Sequence, residues 1–187
     1  MGACVIINNT LHMNIHPLFV HFPVALLSTY AVFELLRFKK ITSQNYWFYV
    51  KAVLVIAGTL GACVAYLAGD EAKHLILQKH ADLKSLIALH ENWALVTLII
   101  FAIIASSYTV VWLKQYKIGW LSKDNFFGRS WKLKIMVAGF ILNSSIVLIL
   151  AFVGLVALTI TGALGGSIIY GHSGDPFTAF VYSIFFR

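Results

Sequence analysis

Charge is what this chain has least of. Only 11% of its 187 residues are Asp, Glu, Lys or Arg, where a soluble domain carries about 25%. That shortage excludes a water-soluble globule. The net charge of +7 is then no nucleic-acid footprint, because the basic residues sit in short segments between apolar runs; no nucleic-acid partner is expected. Cysteine is scarce as well. Cys4 lies at the terminus and Cys63 mid-way along an apolar run, so no disulfide is expected, and a buried thiol behaves as a small hydrophobe. Several chemical signatures are missing. Without Cys-x-x-Cys-His, covalent c-type haem is excluded on this chain. There is no Gly-rich phosphate loop, no nucleophile elbow and no His-Glu-x-x-His, since His90-Glu91 has no second histidine four residues after the first. No Lys or Arg precedes Arg37, so the basic start of a secretory signal is missing too.

What the chain has in quantity is long apolar runs. Hydrophobic residues make up 60% of it, the mean hydropathy is +0.84, and about 20 apolar residues suffice for one bilayer crossing. Spans at 17–38, 46–69, 85–113 and 135–171 predict an all-α, integral-membrane four-helix bundle, one transmembrane domain over 1–187. The aromatic tail, 176–187, is too short to span and is expected at the interface. The last run is awkward, because its 36 residues from Ile135 to Tyr170 would make a helix of about 54 Å. The bilayer core is about 30 Å thick. It reads as one long helix, tilted or projecting, with Gly162 as the place where a break would change the topology.

Orientation follows from the basic residues. Segment 37–51 carries four Lys or Arg and no acid, and 114–134 carries six against the single acid Asp124. The polar connection 70–91 carries three against four acids. Both basic segments are expected in the cytoplasm, which leaves both termini and the 70–85 connection outside, with four spans between them.

That topology brings polar residues to one end. His16 and His21 open span one, Asp70 and Glu71 close span two, His90 and Glu91 open span three, and His172 follows span four. Ionisable groups beside an apolar span are expensive and tend to mark function. Each also has a plain reading. His12, His74 and His80 stand in polar segments and are expected to be solvated, His16 can cap a helix, and His21 or His90 alone can be a satisfied core histidine. Glu34, toward the far end of span one, is expected to snorkel or to pair with a loop lysine. Pro17 suits a first helical turn, whereas Pro23 should loosen the backbone near His21. In span two, Gly58, Gly61, Ala62, Ala65, Ala68 and Gly69 form a small-residue face that admits a neighbouring helix, the commoner use, or a flat ligand.

His21 and His90 are expected to face one another across adjacent helices and share a ligand, and facing imidazoles in a bundle are a usual way to hold haem iron. Haem b with His21 and His90 as axial ligands is the leading expectation, His16 and His172 forming a second pair or bonding a propionate. The alternative is a non-haem iron, zinc or copper site that adds Asp70, Glu71 and Glu91, unless those carboxylates support imidazole N–H groups. A third reading is an accessory subunit whose histidines are structural.

The opening His16-Pro17-x-x-x-His21-Phe22-Pro23, followed by Val24-Ala25-Leu26-Leu27, resembles the signature of a bacterial membrane family known as domain of unknown function 2231. Gly69-Asp70-Glu71-Ala72, His90-Glu91 and Gly165-Gly166-x-x-x-Tyr170-x-His172 are similar in the same order, over about 12 to 174. The close departs from the pattern, with Ser173-Gly174-Asp175-Pro176 in place of a more apolar ending. The resemblance implies a four-helix protein of a bacterial inner membrane, so that both termini are expected on the periplasmic side. Relatives beside or fused to cytochrome-like modules imply redox work. A quinone or a periplasmic cytochrome is a separate expectation for the electron partner, which neither the residues nor the resemblance identifies.

Overall fold

The computed structural model describes residues 16–37, 44, 46–115, 126–171 and 174–186. Among them there are six α-helices, one 3₁₀ turn at Ala81–Leu83 and no strand. The helices are α1 (His16–Leu36), α2 (Trp47–Leu77), α3 (Lys84–Gln115), α4 (Phe126–Asn143), α5 (Ile146–Tyr170) and α6 (Pro176–Phe185). Four of them, α1, α2, α3 and α5, are long and apolar enough to cross a membrane. Helix is what such sequences must form in lipid, where every backbone group has to be satisfied within its own segment. Leu60, Leu67, Phe140, Ile149 and Phe152 are each more than half exposed. On a soluble protein that much exposed apolar surface would be a liability; against acyl chains it is in its own solvent. The chain is an all-α, multi-pass membrane protein in contact with the lipid bilayer.

The spans form a ring in which α1 packs on α2, α2 on α3, α3 on α5 and α5 back on α1. α1 and α3 therefore stand on a diagonal, so His21 and His90 are not on adjacent helices as the sequence reading had them. Across the diagonal, the Tyr30 ring meets Phe101 edge-on at 6.4 Å and Tyr108 at 5.9 Å. Close helix contact explains the small-residue face of α2. A Cβ on Gly58 would lie 2.7 Å from Leu27 Cδ2, and one on Gly61 would lie 2.9 Å from Phe22 Cδ1. The helix-packing use is the one realised at both glycines, and α1 fills the place where a flat ligand would have to enter. Gly154 does the same for α3 and α5, where an added Cβ would meet Phe101 Cζ at 3.0 Å.

Three boundaries differ from the sequence reading. α2 does not stop near Gly69 but runs to Leu77, about 46 Å at 1.5 Å per residue; Asp70, Glu71 and His74 thus sit on its projecting last turns and not in a connecting loop. Of the basic segment 114–134, residues 114–115 end α3 and 126–134 begin α4, the rest lying outside the described residues. The long final run is two helices, broken at Ser144–Ser145 and not at Gly162. Ser144 Oγ accepts the Ile146 N–H at 3.2 Å and donates to the Ile141 carbonyl at 3.3 Å. A hydroxyl that bonds nearby backbone competes with the helical ladder, whereas Gly162 is carried inside α5. What remains, α5, is about 37 Å long, a comfortable crossing.

The tail is a docked helix. Asp175 caps α6 by accepting the amides of Phe177 and Thr178, both at 2.9 Å, and Pro176 follows where a missing N–H costs nothing. Val181 then joins Leu86, Ala163 and Leu164 in a second apolar cluster that ties α6 to α3 and α5.

Candidate functional site

The two ends of the bundle carry polar groups of different character. At the end bearing the histidines, His16 is the first residue of α1, its side chain lying outside the described residues, as His172 does entirely. His21 lies on an exposed stretch of α1, between the exposed Phe19 and Phe22. Asp70 is 70% exposed and stands 3.9 Å from the equally exposed His74 of the next turn. Glu71 is exposed. Glu91 Oε2 accepts from Lys73 Nζ at 2.7 Å, a half-exposed bridge between α3 and α2. The three carboxylates thus do not converge on one point. Among the described residues, no three of His, Cys, Asp or Glu are grouped so as to hold a metal ion.

His90 is the exception at this end. It is half-buried, and its Nδ1 lies 3.0 Å from the Thr161 carbonyl of α5. A ring nitrogen facing a carbonyl oxygen carries a proton and donates it, so that in the neutral ring the lone pair is on Nε2. Gly165, one turn beyond Thr161, makes the approach possible: a Cβ there would lie 3.2 Å from His90 Cε1. Two turns further along α3, Thr97 Oγ1 lies 3.3 Å from Thr161 Oγ1, and each hydroxyl donates to a carbonyl of its own helix at 2.8 Å. His90 is therefore held in one orientation and one tautomer by α5. The sequence placed it one turn inside span three, and the Gly165-Gly166 pair was the signal for its close neighbour.

At the opposite, basic end stands Glu34, which the sequence reading expected to snorkel or to pair with a loop lysine. Glu34 is 1% exposed. Its Oε1 accepts from Arg37 through Nη2 at 2.7 Å and Nε at 3.2 Å. Its Oε2 accepts from Lys51 Nζ at 2.7 Å and from Tyr108 OH at 3.4 Å. Lys51 Nζ also lies 5.8 Å from the centre of the Tyr108 ring. The expected lysine partner is there, but the carboxylate is buried, with α1, α2 and α3 all donating to it. The sequence signal was available: one acid in the last turns of an apolar span, Arg37 at i+3, and Lys51 early in the next span. It was read as an orientation signal because basic residues at span ends usually are one.

Four apolar helices closed into a ring, with charges buried or paired at the two ends, define a helical multi-pass membrane protein. The model of the predicted membrane protein family DUF2231 matches residues 12–175, and the chain belongs to that family. No curated protein and no solved structure matches it.

Proposed function

We propose that the chain is a membrane-embedded redox protein that holds haem b near its histidine-bearing end, with His90 as an axial ligand. The observation that supports this is the His90 Nδ1–Thr161 carbonyl contact. Metal-ligating histidines characteristically give their other ring N–H to such an acceptor, which fixes the tautomer and raises the basicity of the ligating nitrogen. The residues fit the group in part. His90 has the required lone pair on Nε2, whereas the glycine face of α2, filled by α1 at Gly58 and Gly61, offers no slot. A flat macrocycle would have to lie outside that seam, and His21, exposed on α1, is the proposed partner or propionate-bonding residue together with His16 and His172.

When bound, haem supplies one-electron exchange; burial and the hydrogen bonds around its ligands set the potential. The chain's own part is to hold the imidazole still, through the Thr161 carbonyl, and to let it pass Gly165. With the basic segments in the cytoplasm of a bacterial inner membrane, the haem would face the periplasm, in reach of a quinone or a periplasmic cytochrome. The test is a spectrum of detergent-purified protein expressed with haem supplied, oxidised and then dithionite-reduced. A Soret band with sharp reduced α and β bands is expected; a featureless spectrum contradicts the proposal.

A further inference from the structure

Beside the Glu34 cluster lies a cavity of about 670 Å³, within the range of sites that hold small organic ligands. Its walls come from the ends of α1, α2 and α3 at the basic end and from α4, so it is independent of the histidine site. Arg37, Lys51 and Lys114 line it, and Glu34 is the only acid among its described lining residues. Among the described lining residues three cations stand against one acid, with Arg37 and Lys114 exposed and Lys51 only partly so. Donor capacity is in excess too. Arg37 has five N–H donors and Lys51 three, while Glu34 takes two from Arg37 and one from Lys51. The indole Nε1 of Trp47, another lining residue, is buried with no hydrogen-bond partner. On the α4 side, a Cβ added to Gly139 would meet nothing within 4 Å.

We infer that this cavity binds the phosphate group of an organic phosphate ester, with Arg37, Lys51 and Lys114 as its counter-charge. Guanidinium and ammonium groups side by side suit an oxyanion with several acceptor oxygens. Phe48 and Leu142 give the remaining wall an apolar surface that bare inorganic phosphate would leave unfilled. Glu34 competes with the ligand for the same donors. It keeps Arg37 and Lys51 in place when the site is empty and reduces the affinity when it is full. The phosphate can come from an anionic lipid entering sideways past α4 or from a soluble ester entering at the bundle end.

The test uses the full chain in neutral-lipid nanodiscs. One arm titrates phosphatidylglycerol into the bilayer and reads lipid retained per chain by native mass spectrometry. The other titrates glycerol 3-phosphate and reads binding by calorimetry. Retention of phosphatidylglycerol identifies a lipid source, and binding of glycerol 3-phosphate identifies a soluble one; either supports the site. Lys114→Met, which leaves the Glu34 cluster intact, should weaken the binding about tenfold, the loss of one charged hydrogen bond. Gly139→Phe, which fills open space, should abolish it without unfolding the protein. Glu34→Gln should strengthen it, which a merely structural ion pair would not do. No binding of either probe above the phosphatidylcholine background, or equal affinities in wild type, Lys114→Met and Gly139→Phe, overturns the inference.

Discussion

The two ends of this bundle handle the same difficulty, ionisable side chains beside lipid, in opposite ways. At the basic end, one carboxylate is withdrawn from water and every oxygen lone pair that matters is met by Arg37, Lys51 or Tyr108. At the histidine end, the carboxylates stay near the surface and pair singly, Glu91 with Lys73 and Asp70 with His74. A buried pair is weak evidence of net stability, yet breaking it is costly, because the remaining charge has nowhere to go. An exposed pair is worth little either way. The difference teaches where change is tolerated. The basic end is locked by electrostatics, and the histidine end is free to be tuned.

The largest effect should come from the Glu34 cluster. Lys51→Met removes one of its two cations and leaves Arg37 on Oε1. The loss of that charged hydrogen bond is expected to cost about 1.5–3 kcal/mol, read as a loss of resistance to denaturation in mixed micelles, and adding Glu34→Gln should recover part of it. If the single variant is as stable as wild type, the lock is not electrostatic. Next comes the seam between α1 and α2. Gly58→Ala presses a Cβ to within 2.7 Å of the fully buried Leu27 and should cost roughly 1–3 kcal/mol, with thermal melts as the check. Glu91→Gln, by contrast, should change stability by less than about 1 kcal/mol; a larger loss would make the two ends alike.

The smallest effect is local and depends on acidity. Asp175 accepts from the Thr178 hydroxyl and from the Thr178 and Phe177 amides, and these bonds hold its carboxyl below the usual carboxylate range. A depressed value means that the ionised cap contributes above the unfolded value of about 3.9, and that the contribution is lost as pH falls through the lower native one. The hold on α6 should therefore be constant near neutrality and weaken only in acid. Protection of the amides at residues 177–182, measured against their intrinsic exchange rate at each pH, should fall below about pH 4 in wild type, and be lower at every pH in Asp175→Ala. Unchanged exchange in that variant would mean that the Val181 cluster alone keeps α6 docked.

Much of this architecture is legible in the residues, because lipid leaves few choices. A run of apolar residues with scattered glycines has to be a helix, so the four spans and the family resemblance through His16-Pro17-x-x-x-His21-Phe22-Pro23 stand. What the pattern could not give was where helices end when no core forces the issue. Leu77 closes α2 well past Gly69, since a helix leaving the membrane need not stop at its polar residues. The Ser144–Ser145 break is marked by the Ser144 hydroxyl rather than by a proline or glycine. Burial was equally hidden: Glu34 and Glu91 are both single acids in or beside a span, and only packing makes one interior and the other a surface pair. The histidine convergence was seen as an end of the bundle, yet the feature that distinguishes His90 is a backbone carbonyl, to which a sequence pattern is blind.

The most direct test of the functional account is haem content per chain, by pyridine haemochromogen assay, in wild type and in His90→Ala of equal helicity. The account predicts about one haem b per wild-type chain and near-complete loss in the variant. Equal content in the two, or none in wild type supplied with haem, would contradict it.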